Sequence, residues 1–343
     1  MEMPIRVFVV DDSALMRKII KDLIESDPEL KVVGTASDGI HVLEKLDVIN
    51  PDVITLDVNM KLMDGLTTLK LIMEKHPIPV IMLSNATRKG AEETLKALEY
   101  GAIDYVAKPS GEISLDLEKI RDELITKIIA AAKAKIVKHE DIASVKVPDE
   151  KTFKENLIVI GASTGGPPAI EKILKSLPEN TPSLLIVQHM PPGFTRSFAR
   201  RLSTLCSFEV KEAEEGDHIT WGKALVAPGG CHIIVREDKT VHLVDSPLMH
   251  GIKPSVDYAM KTAAEVFRSK TIGVLLTGMG RDGVFGMMEI KRYGGKTIAQ
   301  DEASCAVFGM PKAAIEAGCV DEVLPLSMIP REIIRMCLSS HGG

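Results

Sequence analysis

Leu157-Ile158-Val159-Ile160-Gly161-Ala162-Ser163-Thr164-Gly165-Gly166-Pro167-Pro168 is the stretch that decides the fold. Its first four residues are an unbroken apolar, β-branched run, which suits a strand buried on both faces. The run breaks into a G-x-S-x-G turn, with a helix expected after it. The glycines permit a turn that a side chain would obstruct, and such a turn lifts the Ser163 hydroxyl clear of the strand end. A strand that passes straight into a helix opens a βαβ unit, so a parallel α/β sheet is predicted.

Further runs of the same kind follow, at residues 184–187, 224–227, 232–235, 241–244, 272–276 and 297–299. The pair at 232–235 and 241–244 reads as a hairpin, so the predicted sheet is doubly wound and mostly parallel with an antiparallel piece. Open parallel sheets carry their chemistry at the carboxyl ends of the strands. There the sequence places Ser163, His189 after the second run, and Asp282 in the glycine-rich turn Thr277-Gly278-Met279-Gly280-Arg281-Asp282-Gly283. A serine hydroxyl needs a base, and an imidazole base needs an orienting carboxylate. The order Ser, His, Asp differs from the Ser, Asp, His order of α/β-hydrolases, so the match does not imply that fold. His218, His232, His242 and His250 are rival bases, and Asp217, Asp245, Asp257 and Asp301 are rival orienters. Gly278-x-Gly280-x-x-Gly283 also fits a dinucleotide fingerprint, with Asp301 further on. However, Arg281 and Asp282 crowd a turn that should admit a pyrophosphate, and the carboxylate would repel it.

Upstream, residues 5–10 (IRVFVV) open a second alternation of strands and helices, with Ser13 as the expected cap of the first helix. Further strand runs lie at 31–34, 53–56, 80–83 and 105–107. The strand ends carry Asp11, Asp12, Asp57, Ser84 and Lys108. Three carboxylates at one sheet edge repel unless a cation joins them, and hard oxygen donors suit Mg²⁺. Such a site accepts a phosphoryl group on a carboxylate, with a lysine and a hydroxyl binding the phosphoryl oxygens. Residues 115–138 read as a helix ending in an Ala/Lys tract, and the polar stretch 139–152 (HEDIASVKVPDEKT) holds the domain boundary.

Length and composition bound the rest. A chain of 343 residues with 45% hydrophobic and 26% charged residues suits about two soluble domains. Residues 1–121 carry the whole net charge of −6, and residues 122–343 balance. Aromatic content of 4% and a negative charge argue against nucleic-acid binding. No apolar run is long enough to span a bilayer and no leader is evident at the N-terminus, so no membrane insertion is expected. The five cysteines form no CxxC pair, which points to a reducing cytoplasm.

Residues 5–121 resemble a response-regulator receiver domain, a flavodoxin-like (βα)5 fold. The resemblance implies that Asp57 is the phosphoacceptor. It implies a Mg²⁺ pocket of Asp11, Asp12, Asp57 and the Asn59 carbonyl. Ser84 and Lys108 would contact the phosphoryl group, and Tyr105 would be the switch aromatic. Lys61 stands where receivers often carry proline. Residues 153–343 resemble the chemotaxis protein-glutamate methylesterases, the CheB family. The motifs GASTGGP (161–167), QHMPPGFT (188–195), SFARRL (197–202), APGG-x-H (227–232), PSVD (254–257), TGMG-x-DG (277–283), AQDEASC (299–305) and FGMP (308–311) stand in order. The resemblance implies domains at 1–121 and 153–343 with a linker at 122–152. It implies Ser163 as nucleophile, His189 as base and Asp282 as orienter, with Thr164 beside the nucleophile and the Met279 N–H in the oxyanion hole. The implied substrates are γ-glutamyl methyl esters, and also glutamines, on methyl-accepting chemoreceptors. The implied phosphodonor is the histidine kinase CheA, and no cofactor is expected for ester hydrolysis. Phosphorylation is expected to activate the enzyme by uncovering its cleft. A phosphorylation-controlled binding module with a dead site is the rival reading, and loss of hydrolysis in Ser163→Ala separates the two.

Overall fold

A computed structural model of the chain describes residues 3–85, 87–108, 113–136, 142–145 and 155–339. It forms two compact units, residues 1–138 and 139–343. The first alternates β1 (Ile5–Val10), α1 (Ala14–Ile24), β2 (Leu30–Ala36), α2 (Gly39–Ile49), β3 (Val53–Asp57), α3 (Gly65–Lys75), β4 (Val80–Ser84), α4 (Arg88–Glu99), β5 (Asp104–Ala107) and α5 (Ile113–Ala132). Its sheet order is β2-β1-β3-β4-β5, parallel throughout, which is the flavodoxin-like arrangement. Helices cover both faces, which is why the central strands are apolar at nearly every position. Short polar side chains start the helices. Ser13 Oγ accepts from Met16 N–H at 3.3 Å, and Asp38, Asp64 and Thr87 cap the next three.

One boundary needs correction. Helix α5 continues past residue 121, and Leu124, Ile128 and Ala131 on it are buried in the first unit's core. Residues 122–132 therefore belong to the first domain and not to a linker. Charge patterning concealed this, because the buried face alternates with Arg121, Asp122, Glu123 and Lys127. Most of the polar stretch 139–152 lies outside the described residues. Within it, Val145 N–H already bonds Ser176 of the second unit, at 2.8 Å.

The second unit contains β6 (Leu157–Ala162), α6 (Gly166–Ser176), β7 (Ser183–Gln188), α7 (Phe194–Leu205), β8 (Glu209–Glu212), β9 (Lys223–Val226), β10 (His232–Val235), β11 (Val241–Val244), α8 (Val256–Phe267), β12 (Thr271–Leu275), α9 (Val284–Arg292), β13 (Lys296–Gln300), α10 (Met310–Glu316), β14 (Glu322–Leu324) and α11 (Ile329–Ser339). Seven strands pair in parallel in the order β14-β13-β12-β6-β7-β9-β8. The chain starts at the central strand, β6, works outward to one edge, then crosses back to β12 and builds the other. The reversal makes a switch point beside β6, where open α/β sheets form their crevice. The antiparallel hairpin β10-β11 is a separate two-stranded ladder rather than part of the main sheet.

The core of the first unit gives a direct test of where that domain ends. Ile128 is fully buried, and Ile128→Ala should cost about 3 kcal/mol through lost burial and an incompletely filled cavity. Urea unfolding that leaves the first unit's transition unmoved would contradict its place in that core.

Candidate active site

Three adjacent strands, β12, β6 and β7, deliver the serine, histidine and aspartate to one edge of the sheet. In register, Gly161 of β6 faces Leu275 of β12 on one side and Val187 of β7 on the other. Ser163 leaves the end of β6 and is partly exposed. Gly165 follows with φ +74°, a left-handed conformation that L side chains resist, and caps α6. Gly278 sits so close that an added Cβ would lie 2.7 Å from Ser163 Cβ and 2.6 Å from Met310 Sδ. The Ser163 turn and the Asp282 turn are therefore in backbone contact, Ser163 N–H bonding Thr277 O at 3.0 Å, which only glycine at 278 permits.

His189 leaves the end of β7 with its N–H bonded to Ala162 O at 3.1 Å, directly before Ser163. Its Nε2 lies 2.9 Å from Asp282 Oδ2. The buried Gln188 side chain donates to Ser163 O at 2.9 Å and to His189 O at 3.2 Å, tying the two turns together. Among the described residues Ser163 Oγ has no hydrogen-bond partner. The structure thus joins His189 and Asp282 directly and holds Ser163 beside them through backbone contacts. Active-site hydrogen bonds are commonly looser before substrate arrives. Thr164 is buried and its carbonyl accepts from Thr277 Oγ1 at 3.0 Å. Among the described residues Met279 N–H makes no hydrogen bond, so it is a donor available at the same edge.

Asp282 is 1% exposed. Its Oδ1 accepts from Ser255 Oγ at 2.7 Å and Asp257 N–H at 3.1 Å, and its Oδ2 accepts from Val256 N–H at 2.6 Å. These donors are the N-terminus of α8, whose unpaired N–H groups and dipole favour an anion. Burial pushes the carboxyl up, but the bonds from His189, Val256 and Ser255 outweigh it and hold Asp282 below the usual carboxylate range. Asp257 is the opposite case. Burial, reinforced by the Asp282 charge, pushes it up to about 6. The anion at Asp282 also removes the basis for a dinucleotide reading of this turn, since both its oxygens are committed to protein donors.

The rival residues are engaged elsewhere. His232 is buried, donating through Nε2 to Pro247 O at 3.0 Å and accepting from Ser255 N–H at Nδ1 at 3.1 Å. His242 pairs with Glu215, His250 faces Asp257 at 3.3 Å, and Asp301 caps Ser304. Sequence reasoning missed the roles of Gln188 and Ser255. The signal was present in their adjacency to His189 and to the start of α8, but only the fold shows where they point.

In the first unit, Lys108 Nζ bridges Asp11 at 2.6 Å and Asp57 at 2.8 Å. Oxygens of Asp11, Asp12 and Asp57 lie within 4.8 Å of one another, a set of hard donors that fits Mg²⁺. Burial pushes Asp57 up, more than Lys108 brings it down. Asn59 N–H bonds Asp57 Oδ1 at 3.3 Å. Ser84 ends β4 with its hydroxyl turned to Gly90 O at 3.1 Å rather than to Asp57. Tyr105 is buried on β5, its carbonyl accepting from Lys127 Nζ at 2.6 Å.

An acidic pocket with a bridging lysine on a (βα)5 sheet, ahead of a second α/β domain, places the chain among response regulators. The profile of response-regulator receiver domains matches residues 7–119, and that of CheB methylesterases matches residues 158–333. The chain belongs to the CheB methylesterase family. A protein-glutamate methylesterase/protein-glutamine glutaminase of Pyrococcus abyssi is 51% identical over 350 residues, covering 99% of this chain and 95% of that one. Its counterpart in Symbiobacterium thermophilum is 46% identical and covers 97% of each. The crystal structure of the Thermotoga maritima CheB methylesterase catalytic domain matches with a TM-score of 0.52 and 44% identity, covering 53% of this chain and 98% of that one. Among the described residues no helix is long and apolar enough to cross a membrane.

Asp257 makes stability pH-dependent. Its folded value of about 6 exceeds the ordinary 3.8, so the folded chain holds a proton that the unfolded chain has released. The stabilisation is complete below about pH 4 and is lost as pH rises through about 6. Urea midpoints across that window should decline less in Asp257→Asn than in the wild type. Parallel declines would contradict the assignment.

Proposed function

We propose that the chain is a phosphorylation-activated, cytoplasmic protein-glutamate methylesterase that hydrolyses γ-glutamyl methyl esters on chemoreceptors and serves chemotactic adaptation. The observation that carries the mechanism is the His189–Asp282 contact of 2.9 Å at the strand ends beside Ser163. Nε2 of His189 is taken by Asp282, which leaves Nδ1 as the base for the serine proton. Ser163 Oγ attacks the ester carbonyl carbon while His189 takes that proton. The N–H of Met279 stabilises the oxyanion, an effect worth about 3 kcal/mol per donor, with Thr164 beside the nucleophile. Collapse breaks the C–O bond to methoxide, which takes the proton from His189 and leaves as methanol. Water then attacks the acyl-serine, again giving a proton to His189, and Ser163 departs with it. The same sequence on a glutamine releases ammonia in place of methanol. Nothing in the hydrolysis calls for a cofactor.

The first domain supplies control. Asp57 would accept the phosphoryl group from the kinase CheA. Asp11, Asp12, Asp57 and the Asn59 carbonyl would hold a Mg²⁺ ion, which neutralises phosphoryl oxygens when bound. Lys108, already between two carboxylates, has the charge and position to bind a further oxygen. Ser84 turning from Gly90 O toward the phosphoryl group, with Tyr105 following, would be the local switch.

Two variants test this. Ser163→Ala should lower methanol release from methylated receptors by about 10³-fold or more, since the nucleophile and its base act as a unit. Asp57→Asn should abolish the rate ratio between samples with and without a small-molecule phosphodonor. Hydrolysis that survives Ser163→Ala, or stimulation that survives Asp57→Asn, would contradict the reading.

A further inference from the structure

Asp257 takes no part in the proposed chemistry, yet it is 1% exposed and lies against the turn that carries Asp282. Its Oδ1 accepts two backbone bonds, from Gly283 N–H at 2.9 Å and Gly286 N–H at 2.8 Å. Those are the cap and first turn of α9. The arrangement is reciprocal. Asp282, immediately before α9, accepts the N–H groups that open α8, while Asp257, in the first turn of α8, accepts those that open α9. Gly283 directly follows Asp282, so its N–H is one peptide from the orienting carboxylate. A helix N-terminus would tolerate water in place of Asp257, but a second buried carboxylate close to Asp282 costs like-charge repulsion. Burial first, and the Asp282 charge second, raise the affinity of Asp257 for a proton. A residue kept at such cost while holding the Asp282 turn has a positional task.

Resting on the triad reading above, we infer that Asp257 is a positioning residue for catalysis, its carbonyl-type oxygen clamping Gly283 and Gly286 N–H so that Asp282 meets His189. The clamp needs an acceptor oxygen rather than a charge. An asparagine keeps that oxygen, and its amide N–H can face His250 Nε2, which lies 3.3 Å from the other carboxylate oxygen. Alanine removes the acceptor and leaves both N–H groups buried without a partner.

The test measures methanol release from methyl-labelled receptor by the full-length chain with phosphodonor, for wild type, Asp257→Ala, Asp257→Asn and Ser163→Ala. Asp257→Ala should lower kcat by about 100-fold with KM unchanged, as expected for misplacement of a catalytic group by about 1 Å. Asp257→Asn should recover kcat to within about threefold of wild type. Should Asp257→Ala not fold, Asp257→Ser, whose hydroxyl is too short to reach both donors, replaces it with the same expectation. Wild-type kcat in the Ala or Ser variant would overturn the inference, as would an Asn variant as slow as Ala. Activity retained by Ser163→Ala would instead overturn the triad reading, which separates the two failures.

Discussion

The second domain depends on how one buried carboxylate is kept charged. Asp282 is removed from water almost completely, a move that normally neutralises a carboxyl group. Three donors from the start of α8 and the imidazole of His189 offset that loss. Helix α8 therefore has two jobs. Its apolar face, including Met260, Ala263 and Ala264, fills the core between the sheet and α9. Its N-terminus supplies donors that let Asp282 stay charged while it bonds His189. Packing and chemistry meet in the same helix, and neither can be altered alone.

The parallel sheet supplies the second constraint. Because β12, β6 and β7 are neighbours running in one direction, residues far apart in sequence emerge at one edge. Gly278 lets the Asp282 turn approach Ser163 to backbone distance. The first domain uses the same geometry for different chemistry. Asp11 ends one strand, Asp57 its neighbour, and Lys108 follows a third, so that an ammonium lies between two carboxylates. In the second domain the strand ends gather a hydroxyl, an imidazole and a carboxylate. In the first they gather three carboxylates and an ammonium.

Much of this was legible in residue order. The apolar run 157–160 and its glycine turn read correctly as a strand passing into a helix, and the strand ends carrying Asp11, Asp57, Ser163 and His189 were all identified. Two edge strands, Glu209–Glu212 and Glu322–Leu324, were not. Both are short and charged, as edge strands tend to be, so they lack the apolar signature that reveals a central strand. The hairpin was read correctly, but its detachment from the main sheet depends on tertiary contacts that no local pattern records. The sequence puts the end of the first domain too early, because the polar face of α5 masks a buried stripe. In the sequence Asp257 reads only as a rival orienter. Its true neighbours, Gly283 and Gly286, are remote in sequence and are brought to it by the reversal of the chain between β9 and β12.

Reaction of the folded chain with a fluorophosphonate, followed by peptide mass mapping, tests the central claim most directly. Such a reagent captures a serine only where a base activates it. A single adduct on Ser163 is expected, its formation slowed by orders of magnitude in His189→Ala. An adduct on another residue, or labelling of Ser163 at the same rate without the imidazole, would contradict it.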